Sequence, residues 1–201
     1  MHFATDNFFE IDSTDHANIL RLTSPDNTNR LTRSCVLALT EKIRSLSDQA
    51  KPLIVTGNRH FFSVGADLNE IARLTGPEAY EFSQMGQALM TAVASFPAPV
   101  IAAIEGHCMG GGLDLALACH HRIAAPNAVF GHRGAALGLV TGWGGTQRLP
   151  RLIGKGRALE LFVAAEKVTA HCALSMSLVS GIVPDPLAGA LDRLCANPPS
   201  S

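Results

Sequence analysis

The stretch Ile104–Ala118, IEGHCMGGGLDLALA, decides the reading of this chain, because three consecutive glycines open into an almost wholly apolar helical pattern carrying one carboxylate, Asp114. Gly110, Gly111 and Gly112 lack a Cβ, so a ligand can approach their backbone closely. The first N–H groups of a helix have no intrahelical acceptor and point outward, which suits a developing negative oxygen. A second glycine turn, HFFSVGADL from His60 to Leu68, follows the strand-like Leu53-Ile54-Val55 and offers a further inward N–H from Ala66. Two such donors make an oxyanion hole.

Asp114 stands among Leu113, Leu115, Ala116, Leu117 and Ala118. A charge there is costly unless paired or used, and desolvation raises a carboxyl pKa while the helix start lowers it. Asp114 is the candidate acid/base. An Asp in a first turn also simply complements the helix dipole.

Outward from this point, short apolar runs alternate with helical patterns. Ile19–Thr23, Pro52–Thr56 and Val100–Ile104 read as strands, with further strands near Arg122–Ala124 and Ala128–Phe130. Val36, Leu39, Ile43 and Leu46 fall on one face of a helix that Thr32 can cap. Pro77 fits the first turn of a longer helix with Phe82, Met85, Leu89, Val93 and Phe96 at helical spacing, ended by Pro97–Pro99. A short helix spans Leu187–Cys195. The periodicity predicts an α/β architecture with helices covering buried strands.

With 201 residues and 47% hydrophobic content, the chain can bury the core of a single domain, taken as residues 1–201. A formal net charge of −1, with no run of basic residues, gives no general attraction to nucleic acid or anionic lipid. Five scattered cysteines, never in a C-x-x-C pair, indicate neither a disulfide framework nor a zinc ribbon and fit a reducing, cytoplasmic setting. The N-terminal MHFATDNFFEID lacks the features of an export leader, and no apolar run reaches membrane-spanning length. His107, Cys108, His120, His121 and His132 do not show metal-ligand spacing on one helix face, so no metal is expected. There is no G-x-S-x-G elbow, P-loop or G-x-G-x-x-G fingerprint, which argues against hydrolase, kinase and dehydrogenase readings.

The glycine turns, taken with FGHRGAALGLVTGWGGTQRLPRLIG from Phe130 to Gly154, resemble the crotonase, or enoyl-CoA hydratase/isomerase, family. The resemblance runs from about Ile19 to Pro199, with its pieces in the family order. The twenty residues from Asp114 to Gly134 match the family's spacing between its two catalytic carboxylate positions. It implies a spiral of ββα turns, an acyl-CoA thioester substrate from fatty acid metabolism, and no cofactor beyond the coenzyme A of the substrate. It also implies an oxyanion hole from the Ala66 and Gly111 N–H groups, with Ala66, Asp67, Leu68 and Asn69 lying along the coenzyme A moiety. Gly111, Gly134 and Trp143 would line the substrate site, Trp143 lying in a loop that borders the acyl pocket in relatives; plain core packing is its other reading.

The chain departs from the family in three places. Gly134 occupies the second carboxylate position; some relatives with glycine there, notably dihydroxynaphthoyl-CoA synthases, use a bound bicarbonate, and His132 or Arg133 could hold such an anion or act in its stead. His120 stands where relatives commonly have Asp, an exchange expected to be structural. After Gly181–Pro184 and a short helix the sequence stops at Ser201, where relatives continue into helices that pack on neighbouring subunits. The family's trimer or hexamer is therefore expected to be weakened and its C-terminal helices missing. The resulting expectation is an enoyl-CoA hydratase/isomerase with Asp114 as its only matched carboxylate. Alternatives are an enoyl- or dienoyl-CoA isomerase without hydratase activity, or a non-catalytic acyl-CoA binding protein.

Overall fold

The computed structural model describes residues 8–49 and 51–196. Most of the N-terminal segment read for an export leader, and the tail beyond residue 196, lie outside these residues.

The chain is built by repeating one step. A strand enters a large sheet, a tight turn sends a second strand into a smaller sheet, and a helical segment returns the chain. The fold opens with β1 (Phe9–Ser13) and β2 (Asn18–Leu22), then β3 (Arg30–Leu31) and α1 (Arg33–Ser47). Next come β4 (Leu53–Thr56), β5 (Phe61–Ser63), β6 (Gly65–Ala66), the short α2 (Leu68–Ile71) and α3 (Gly76–Ala94). The central step is β7 (Val100–Ile104), β8 (His107–Met109) and α4 (Gly111–Ala118). The following step, β9 (His121–Ala124) and β10 (Val129–Gly131), ends in a 3-10 turn over Gly134–Leu137. Helices α5 (Gly145–Ile153) and α6 (Lys155–Ala164), strand β11 (Val168–Thr169), and helices α7 (Ala170–Ser175) and α8 (Pro186–Ala196) complete it.

The large sheet has the order β1-β2-β4-β7-β9, parallel except for the β1–β2 pair. The second has the order β11-β10-β8-β5, and β3 pairs with β6. Successive steps thus place β4, β7 and β9 side by side in one sheet and β5, β8 and β10 side by side in the other. This is the ββα spiral expected from the resemblance.

Both faces of the large sheet are covered at its centre, which explains why β4 and β7 read as nearly unbroken apolar runs. Leu53 and Val55, with Val100, Ala102 and Ile104, face the main core shared with α1, α3 and α4. Their alternates Ile54, Ile101 and Ala103 meet Ala190 and Leu194 of α8 on the other side.

Local signals set the element ends. Thr32 caps α1 by accepting the Cys35 N–H at 3.2 Å. Thr75 and Glu78 form a capping box at α3, with Pro77 in its first turn. Phe96 lies just past the end of α3, yet is buried in the same core. Between β7 and β8 the chain turns at Gly106 with φ +60°, where a Cβ would lie 2.0 Å from the His60 carbonyl oxygen. Among the described residues no helix is long and apolar enough to cross a membrane.

Candidate active site

The β7–β8–α4 step places the glycine turn. Gly110 adopts φ +51° and ψ −121°, a backbone region essentially restricted to glycine, and redirects the chain from β8 into α4. At the other end of α4, the half-buried Arg122 donates through Nη1 to the Cys119 carbonyl at 2.7 Å and through Nε to the Leu178 carbonyl at 2.9 Å. A cation there also complements the helix dipole, so both ends of the helix bearing Asp114 are held. His120 is structural, its Nδ1 accepting the Val100 N–H at 2.9 Å.

The two glycine turns meet. Gly65 has φ +90°, and a Cβ on it would lie 2.7 Å from the Gly111 nitrogen and 2.6 Å from the Met109 carbonyl oxygen. A Cβ on Gly111 would in turn lie 3.3 Å from the Ala66 nitrogen. The missing side chains therefore let the backbones of β6 and the α4 start come together on one wall of a pocket of about 690 Å³. Gly111 is the first residue of α4, so its N–H has no intrahelical acceptor.

Asp114 lies one turn further along α4 and is 1% exposed. Its Oδ2 accepts from the Thr141 hydroxyl, while its Oδ1 lies 3.4 Å from His132 Nε2. Burial raises the Asp114 carboxyl from 3.8 to about 7, against the lowering effects of the Thr141 hydrogen bond and the Arg148 guanidinium. Burial lowers His132 from 6.5 to about 4. Near neutral pH Asp114 is thus poised between its two forms and His132 is uncharged, so their contact is not an ion pair.

These opposite shifts have opposite consequences for stability. The raised Asp114 pKa contributes stability that is full below about 3.8 and is lost as pH rises to about 7. The lowered His132 pKa contributes stability that is full above about 6.5 and is lost as pH falls to about 4. Relative to the wild type, Asp114→Asn should become more stable, and His132→Phe less stable, as pH rises from 4 to 6.5. Thermal melts across that range check both signs; parallel curves for all three proteins would contradict the assignment.

The remaining sequence candidates fall on different sides of the line between site and scaffold. Ala66, Leu68, Gly111, Gly134 and Trp143 line the pocket. Asp67 instead caps α2, accepting the Asn69 N–H at 2.7 Å, and pairs with Arg30 at 3.3 Å; Asn69 is exposed and away from the pocket wall. Trp143 combines both of its readings. It lines the pocket, yet is 3% exposed, donates from Nε1 to the Phe82 carbonyl at 3.2 Å, and packs so tightly on Gly86 that a Cβ there would lie 2.1 Å from the indole.

Gly134 opens the 3-10 turn and its carbonyl accepts the Leu139 N–H at 2.8 Å. A Cβ on Gly134 would lie 2.6 Å from the Leu139 carbonyl oxygen. The position at which the resemblance implies a second carboxylate is therefore closed by backbone as well as occupied by glycine. Of the two candidates beside it, His132 faces Asp114 whereas Arg133 is exposed at the pocket rim. Sequence reasoning missed Thr141, Arg148 and the Phe162 ring, which lies tilted with its centroid 5.1 Å from that of His132. No local pattern marks them, because each acts through a contact between segments distant in the chain. Among the described residues no group of three or more His, Cys, Asp or Glu could hold a metal ion.

Comparison with known proteins agrees with this architecture. The enoyl-CoA hydratase/isomerase family model matches residues 15–192, and the chain belongs to that family. It is 44% identical over 147 residues to a probable enoyl-CoA hydratase of Bacillus subtilis, covering 70% of this chain and 57% of that protein. It is 38% identical over 168 residues to a crotonyl-CoA hydratase of Syntrophomonas wolfei, covering 82% of this chain and 65% of that protein. The chain thus spans less than two thirds of the length of these curated relatives. A crystal structure of an enoyl-CoA hydratase from Bacillus anthracis superposes with a TM-score of 0.88 at 34% identity, covering 95% of this chain and 78% of the other.

Proposed function

We propose that this chain acts on acyl-CoA thioesters, polarising the thioester carbonyl between the N–H groups of Ala66 and Gly111 and moving protons with Asp114. One observation carries the reading. A single pocket wall brings the Gly111 helix start and the Ala66 backbone beside a buried carboxyl that titrates at about 7. Donors aimed at a carbonyl oxygen stabilise enolate charge, and a carboxyl near the operating pH serves as both acceptor and donor of the α-proton. Leu68, Leu137 and Val140 line the same pocket and are 52%, 58% and 74% exposed, an apolar rim suited to an acyl chain.

The closure of Gly134 by the Leu139 carbonyl favours isomerisation over hydration, because proton relocation along an enoyl chain needs no second carboxylate to hold water. From spacing alone, Gly134→Glu should raise hydration where the loop tolerates the side chain. With a Cβ only 2.6 Å from a backbone oxygen, we expect the variant instead to lower the melting temperature without a gain in hydration. A folded Gly134→Glu protein with increased hydration of crotonyl-CoA would overturn this account of the gap.

The test of the function compares turnover of crotonyl-CoA, a 3-enoyl-CoA and a dienoyl-CoA beside a titration of acyl-CoA binding. Turnover of the 3-enoyl or dienoyl thioester above that of crotonyl-CoA is expected. Binding without turnover of any of them would leave a non-catalytic acyl-CoA binding protein.

A further inference from the structure

Three buried side-chain polar atoms among the described residues lack a hydrogen-bond partner: Asn29 Oδ1, Asp114 Oδ1 and His132 Nε2. The last two face each other at 3.4 Å in the pocket. Leaving such atoms unpaired costs free energy, and two together at nearly hydrogen-bonding distance mark a position for a shared proton. The surroundings keep that position open. Asp114 Oδ2 is taken by the Thr141 hydroxyl, leaving Oδ1 as the available oxygen. Phe162 supports the imidazole ring at 5.1 Å. Opposite them stands Gly145, where a Cβ would lie 2.2 Å from Oδ1 and 3.1 Å from Nε2, so any other residue would invade the gap.

Resting on the acyl-CoA reading, we propose that His132 is the second proton-holding group of this site, receiving from Asp114 the proton lifted from the substrate and returning it at another carbon. In the first step the C–H bond next to the carbonyl breaks and an O–H bond forms on Asp114 Oδ1. The electron pair passes into the enolate, whose oxygen lies against the Ala66 and Gly111 N–H groups. The proton then crosses to Nε2 of an imidazole protonated on Nδ1, restoring the carboxylate and forming imidazolium. In the last step the imidazolium releases a proton to the γ-carbon as the enolate electrons form the new C–H bond and the carbonyl is restored. The double bond moves by one position, with no net gain or loss of protons and no oxidant or reductant.

Burial disfavours the charged imidazole, which makes the transient imidazolium a ready donor. Among charged groups Arg148 favours the Asp114 carboxylate, and that carboxylate in turn adds to the burial that raises the neighbouring Cys108 thiol. A proton held on imidazolium can exchange with water that reaches the pocket, whereas one kept on Asp114 alone returns to the same substrate.

The test has two readouts on the full chain. In the free protein, ¹⁵N NMR of the imidazole should show His132 Nε2 shifted on Asp114→Asn; an unchanged Nε2 resonance would overturn the pairing. With a 3-enoyl-CoA in D₂O, wild-type product should carry solvent deuterium at the γ-carbon. His132→Phe should turn over roughly 10²-fold more slowly, and its residual product should retain the substrate's own hydrogen. His132→Gln provides the same isotopic comparison should the Phe variant not fold. Wild-type rates and deuterium content in a folded variant would overturn the proposal, whereas a merely structural defect would lower the rate without changing the isotope pattern. An NMR-detected pair in a wild type that turns over no thioester would sink the acyl-CoA reading and the relay step while leaving the Asp114–His132 contact intact.

Discussion

Asp114→Asn is expected to lower turnover of an enoyl thioester by roughly 10²- to 10⁴-fold while acyl-CoA affinity stays within a few-fold. The amide keeps the size of the carboxyl and leaves both backbone donors in place, but it can no longer take up a proton. The environment of Asp114 makes the substitution informative. Its carboxyl is buried and its Oδ2 is held by the Thr141 hydroxyl, so the side chain is fixed where it stands. Removing a carboxyl whose burial raises its pKa should not destabilise the fold near neutral pH. A loss of activity would thus not be a loss of structure. Stopped assays of initial rate beside a binding titration separate the two parameters, and wild-type turnover would remove Asp114 from the mechanism.

Removing the Gly111 N–H is the second large effect. Loss of one oxyanion donor typically costs about 3 to 4 kcal/mol of transition-state stabilisation, or roughly 10²- to 10³-fold in rate. Proline is the substitution that helix rules suggest for a first-turn residue. The packing of Trp143 argues against it, since a Cβ on Gly111 would lie 2.5 Å from the buried indole ring. An ester in place of the Gly110–Gly111 amide deletes the donor and adds no carbon, so the indole stays seated. The ester protein should fold, with circular dichroism and a melting curve to verify it, and should show that loss in kcat/KM. A folded ester protein at wild-type rate would make this turn purely structural.

The sequence carried these two sites because each is written in adjacent residues. Three glycines before an apolar helix show where the backbone can approach a ligand, and a lone Asp among leucines and alanines shows a buried carboxyl. The large sheet was legible for a related reason. Val100–Ile104 and residues 53–55 are apolar at every position because helices cover both faces of their sheet. Of the second sheet only β10 was legible, as the strand near Ala128–Phe130; β5 and β8 are three residues each, too short for a period to show, and His107–Met109 merges with the glycine turn. Helix α5 was hidden by Pro150 in its interior and glycines at its start.

The least legible part is the ring of contacts around Asp114. Thr141, His132, Arg148 and Gly145 reach it from the 131–148 segment, and only the folded path of that segment brings them there. The same holds for Gly134. Its spacing from Asp114 matches the second carboxylate position that the resemblance implies, but the Leu139 carbonyl that closes the position follows from the 3-10 turn.

The central claim is that this pocket turns a bound thioester into its enolate with Asp114 as the base. Exchange of the α-hydrogens of a saturated acyl-CoA in D₂O tests it most directly, because it isolates enolate formation from any later step of isomerisation or hydration. Wild-type protein should introduce deuterium at C2 of butyryl-CoA, at a rate rising with pH through about 7 as Asp114 ionises, and Asp114→Asn should introduce none. Butyryl-CoA that binds but gains no deuterium above the uncatalysed background, in wild type as in Asp114→Asn, would contradict the account.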